Sequence, residues 1–101
     1  MEIDWSVGQL RETLEQLNID DRTLIVFTSD NGPVLGINGG DAGPFRDGKW
    51  TDFEGGIRVP MVVRWPGKIE AGKVSDLPWY FPDVMPTLAE LAGVSAEVPD
   101  D

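Results

Sequence analysis

Three short stretches hold the side chains best suited to chemistry. Asp30 and Asn31 set a carboxylate and an amide oxygen side by side. Both are hard oxygen donors that suit calcium or magnesium, yet such a cation takes about six or more oxygens, so two residues supply only part of a shell. The same pair, followed by Gly32 and Pro33, also suits an Asx turn in which the side chain bonds its own backbone. The full calcium-loop pattern D-x-[DN]-x-[DN]-G with a later Glu is absent.

Lys49 is the second candidate. Gly43 to Lys49 matches the first seven positions of the phosphate-loop pattern G-x-x-x-x-G-K-[ST], but Trp50 stands where the magnesium-binding hydroxyl belongs. Pro44 also removes a backbone N–H that such a loop uses, and no strand leads directly into it. A nucleotide loop is therefore rejected. Lys49 remains either an ammonium clamp on an oxyanion or a solvated loop lysine. The third stretch is Glu54-Gly55-Gly56-Ile57-Arg58, where paired glycines permit a tight backbone path. Arg58 there either pairs with Glu54 or holds an anion. Asp20-Asp21 and Asp100-Asp101 read as solvated, and Trp79-Tyr80-Phe81 as core packing.

Composition narrows the chemistry further. The 101 residues include 18 acids, 8 bases, no Cys and no His, for a net charge of −10. That balance argues against a nucleic acid partner, whose phosphates require Lys and Arg, and against an anionic membrane surface. Thiol nucleophiles, disulfides, Cys zinc sites and imidazole acid–base work are excluded within these residues. The bases are unevenly placed: residues 44–74 hold six bases against four acids, so a mildly basic segment surrounds Lys49 in an acidic chain. The first ten residues lack the basic start and apolar run of a signal peptide.

Elements must position these residues. Ile3, Val7, Leu10, Leu14 and Leu17 recur at helical spacing, and the helix they predict starts without a cap, as if cut rather than begun. Asn18 to Arg22 reads as a polar turn. Thr23 to Thr28 and Val59 to Trp65 are short apolar, β-branched runs that read as strands buried on both faces, the parallel-sheet pattern. Between them, residues 32–56 form a long glycine-rich loop of the kind usually kept for function. Asp83 as N-cap, Pro86 in the first turn, the stripe Val84, Leu88, Leu91, and Gly93 as a stop predict a final helix. The expectation is one α/β unit over residues 1–101, with buried parallel-type strands flanked by helices. Asp30 and Asn31 would then lie beyond a strand's carboxyl end, where ligands of open α/β sheets gather.

FTSDNG at 27–32, GKWTDFEGGIRVPMVVRWPGKI at 48–69 and FPDVMPTLAELAG at 81–93 together resemble the sulfatase family, in order and in spacing. The likeness covers essentially the whole chain and matches the C-terminal part of an arylsulfatase-like catalytic domain. It implies an alkaline-phosphatase-like α/β fold and hydrolysis of sulfate esters. It also implies that Asp30 and Asn31 help hold a divalent cation, usually calcium, and that Lys49 contacts the sulfate group.

The departures from that pattern are specific. The family's formylglycine nucleophile comes from a [CS]-x-[PA]-x-R motif, which these residues lack, as they lack the family's earlier acidic pair and any His. The expectation is therefore a partial catalytic domain that is inactive alone and completed by an N-terminal portion. Two alternatives stand beside it: a non-catalytic acidic binding module of sulfatase shape, and part of a related phosphodiesterase or phosphonate hydrolase.

Overall fold

A computed structural model describes residues 2–36 and 39–94. Helix α1 spans Glu2–Gln16 and carries Glu2 and Asp4 in its first turn, where acids complement the positive end of the helix dipole. Its end is decided by Asn18, which takes the left-handed conformation at φ 55°. The N–H of Ile19 then reaches the Leu14 carbonyl at 3.1 Å and that of Asn18 reaches Glu15 at 3.0 Å, the paired bonds of a Schellman stop. Leu14 is the only large apolar side chain buried among the described residues; of the rest of the predicted stripe, Ile3, Leu10 and Leu17 are exposed and Val7 is half-buried.

Strands β1 (Ile25–Thr28) and β2 (Met61–Arg64) pair antiparallel, Ile25 with Arg64 and Thr28 with Met61. This corrects the expected buried, parallel-type strands. The expectation took an unbroken apolar run to mean burial on both faces, but among the described residues no helix packs on this sheet. Val26, Phe27, Met61 and Val62 are accordingly exposed. The antiparallel register has a consequence for the site. The chain leaves β1 at Thr28 and re-enters β2 at Met61 on the same end of the ribbon, so residues 29–60 form one wide loop whose two roots meet.

Two contacts fasten the ribbon to the turn that follows α1. Arg64 grips Asp20 bidentately at 2.6 and 2.8 Å. The indole N–H of Trp65 donates to the Asp21 carbonyl at 3.0 Å. The fork of the guanidinium holds the Asp20 carboxyl below its ordinary range, and the same bond raises the Arg64 guanidinium.

Helix α2 is a single turn, Glu54–Ile57, and α3 spans Val84–Leu91. Asp83 does precede α3, but its side chain does not cap that helix; it accepts the Tyr80 N–H at 3.3 Å and closes the 3-10 turn Phe81–Asp83. Gly93, at φ 70°, stops α3 as expected, with the Val94 N–H on the Ala89 carbonyl at 3.0 Å. Trp79 and Phe81 meet at 6.2 Å between ring centres, yet Tyr80 and Phe81 are exposed, so this aromatic group is not core packing among the described residues.

Candidate functional site

The wide loop is folded back on itself by close backbone contacts. The Gly32 N–H donates to the Gly56 carbonyl and the Lys49 N–H to the Pro33 carbonyl, both at 2.8 Å. The Gly55 N–H donates to the Arg46 carbonyl at 3.0 Å. These approaches require glycine. A Cβ at Gly55 would strike the Asp47 carbonyl oxygen, and one at Gly56 would strike that of Thr51. The pair that sequence reading assigned to a tight path is thus the clasp between the two roots of the loop and its far end.

That clasp shapes a concavity of about 380 Å³, lined by Ser29, Asn31, Asp41, Lys49 and Arg58 together with the Gly32–Pro33 turn. Asn31 and Lys49, eighteen positions apart, are brought together; Asp30 is exposed and lies outside this lining. Lys49 sits in a turn bent into the left-handed region on both sides, at Asp47 (φ 57°) and Trp50 (φ 76°). For side-chain-bearing residues such a conformation costs roughly 1–2 kcal/mol each. The loop holds it because the Lys49 amide is tied to Pro33 and the Thr51 hydroxyl to the Gly48 carbonyl at 2.9 Å.

The charges around the concavity differ in how far they are committed. Among the described residues no carboxylate pairs with the Lys49 ammonium, which lies 5.8 Å from the Trp50 ring. Arg58 pairs with Glu54 at 3.1 Å and lies over the Phe45 ring at 4.5 Å. Asp41 accepts the Gly43 N–H at 2.8 Å, a local Asx bond. The Asx reading of Asp30 and Asn31 is not what forms. Neither side chain bonds the backbone among the described residues, and the turn is held by the Ser29 hydroxyl donating to the Asn31 carbonyl at 3.0 Å. Their side-chain oxygens are therefore uncommitted to the fold.

Sequence reading did not single out Ser29 or Asp41. Ser29 carried a signal in its position at the strand end beside Asp30; Asp41 had none, because only the folded loop brings it to the concavity.

Comparison with known proteins decides the family. The sulfatase family model matches residues 1–94. The chain belongs to the sulfatase family. It is 45% identical to steryl-sulfatase of Homo sapiens across 99% of its length, which covers 18% of that protein. It is also 45% identical to N-acetylgalactosamine-6-sulfatase of Canis lupus familiaris, over 93% of this chain and 19% of the relative. The N-acetylgalactosamine-6-O-sulfatase of Bacteroides thetaiotaomicron is 38% identical over 72% of the chain. The chain thus spans about a fifth of the length of the first two relatives. Membership implies the alkaline-phosphatase-like α/β fold, and the described residues form helices and a two-stranded antiparallel ribbon.

A sulfatase cation can be tested against the donors present. Carboxylate and amide oxygens are the right type for a hard divalent ion. Their number falls short, since among the described residues no three His, Cys, Asp or Glu side chains form a metal-holding group. The donor type of Asp30 and Asn31 therefore suits such an ion, while their number would supply only part of its shell.

Proposed function

We propose that this chain carries part of the active site of a sulfate ester hydrolase. The observation that supports the reading best is the convergence of Asn31 and Lys49 on one concavity in a chain of the sulfatase family. In this reading Lys49 is the catalytic cation contributed here. Its ammonium, without a carboxylate partner among the described residues, counters the charge on the sulfate oxygens as the S–O bond is attacked. The taut turn around it fixes the backbone from which the Lys49 side chain reaches the concavity. Asp30 and Asn31 supply two oxygen ligands to a divalent cation, most naturally calcium. When bound, that cation supplies further electrophilic stabilisation of the sulfate oxygens.

The nucleophile is not among these residues, which hold no Cys and no [CS]-x-[PA]-x-R motif. We therefore assign it, with the remaining metal ligands, to a further portion of the catalytic domain, and read this chain alone as inactive. Assay of the purified chain with an aryl sulfate and calcium tests this. The expected result is no turnover above the uncatalysed rate; metal-dependent turnover at an enzyme-like rate would overturn the assignment.

A further inference from the structure

We propose that Arg58 is a specificity-determining residue that makes this sulfate site prefer substrates bearing a second anionic group. The proposal rests on the reading of the concavity as a sulfate site. Two cations line it, and they are held in different ways. Lys49 has no carboxylate partner among the described residues, whereas Arg58 is anchored from two sides, by Glu54 at 3.1 Å and by the face of Phe45 at 4.5 Å. Their backbones also hang from different supports. The Lys49 amide is tied to the Pro33 carbonyl, and the Arg58 amide to the Glu54 carbonyl at 2.9 Å at the end of α2.

A guanidinium presents five N–H donors in a fixed fork. The bond to Glu54 occupies one of its terminal nitrogens, so Arg58 keeps donors for a second partner while staying in position. The single acid in the lining, Asp41, is engaged by the Gly43 amide. Two separately anchored cations against one engaged carboxylate suit a ligand with two anionic groups better than a single sulfate. The first group meets Lys49; the second, a neighbouring sulfate or carboxylate, meets Arg58. Glu54 tempers this, because it competes with the second anion for the same guanidinium.

The test titrates the 101-residue chain with methanesulfonate and with 1,2-ethanedisulfonate at low ionic strength, following amide chemical shifts. The wild-type chain is expected to bind the disulfonate about fivefold to tenfold more tightly than the monosulfonate. Arg58→Gln should bring that ratio to about twofold or less, Arg58→Lys should keep part of it, and Glu54→Gln should raise it. Arg46→Gln removes the same charge outside the lining and should leave the ratio as in wild type. A ratio that survives Arg58→Gln, or that falls equally in Arg46→Gln, overturns the proposal. So does a wild-type chain without preference. Failure of the underlying site reads differently: monosulfonate binding would then persist in Lys49→Met.

Discussion

Lys49 and Arg58 are two basic side chains of one concavity that are held in different ways. Lys49 is held through its backbone and leaves its ammonium without a carboxylate partner among the described residues; Arg58 is held through its side chain by Glu54 and Phe45. An exposed ion pair such as Arg58–Glu54 adds little stability, typically below about 1 kcal/mol. Its effect is on placement. Lys49→Met should weaken inorganic sulfate binding by about fivefold or more at low salt, with the loss shrinking as salt is added, because the site is open to solvent. Titration of sulfate at two ionic strengths checks both parts. Asp30→Asn and Asn31→Ala should each lower calcium affinity, the former by about tenfold, measured by calorimetry on the chain. A calcium response unchanged in both variants would remove these residues from the metal reading.

The elements are decided by a few local devices. Asn18 and Gly93 end their helices by adopting positive φ, and each stop has both Schellman bonds. The loop depends on Gly55 and Gly56, where no Cβ fits. Gly56→Ala should push the backbone away from Thr51 and break the Gly32–Gly56 bond. Hydrogen exchange at the Gly32 amide should then quicken by about tenfold or more, with the Lys49 amide following. The Asp20–Arg64 clamp gives a pH-dependent prediction. Asp20 has a lowered pKa when folded, chiefly through its bond to Arg64, so the clamp is fully present above the ordinary carboxylate value of 3.8 and is lost as pH falls through the lower folded value. The Asp20 carboxyl carbon should titrate below 3.8 in wild type and return towards that value in Arg64→Met, as read by carbon chemical shifts.

For the molecule as a whole, exposed surface is the dominant fact. The accessible area is 8691 Å². A folded monomer of 11.1 kDa exposes roughly 5,700 Å². Trp5, Phe27, Val62, Leu77 and Met85 are among the large apolar side chains left open. Helices α1 and α3 each pack chiefly on the short 3-10 turn beside them rather than on the ribbon. Surface of this kind binds hydrophobic dyes and drives self-association. The isolated chain should therefore enhance ANS fluorescence strongly and melt with low cooperativity. A dye-silent monomer with a sharp, reversible melt would contradict this.

The local sequence by itself determined a good deal. The helix stops at Asn18 and Gly93, the strand positions and the sulfatase motifs are properties of short stretches, set by φ preferences and by side-chain type. Asp30, Asn31 and Lys49 could be nominated as candidates because side-chain type is local. Strand direction and burial could not, since the run Leu24–Phe27 looks the same whether covered by helices or open to water. Nor could the meeting of Asn31, Asp41, Lys49 and Arg58. That is decided by the antiparallel register, which joins the two ends of a long loop, and by glycines that allow two backbones to touch. Both are relations between distant residues, which local periodicity does not encode.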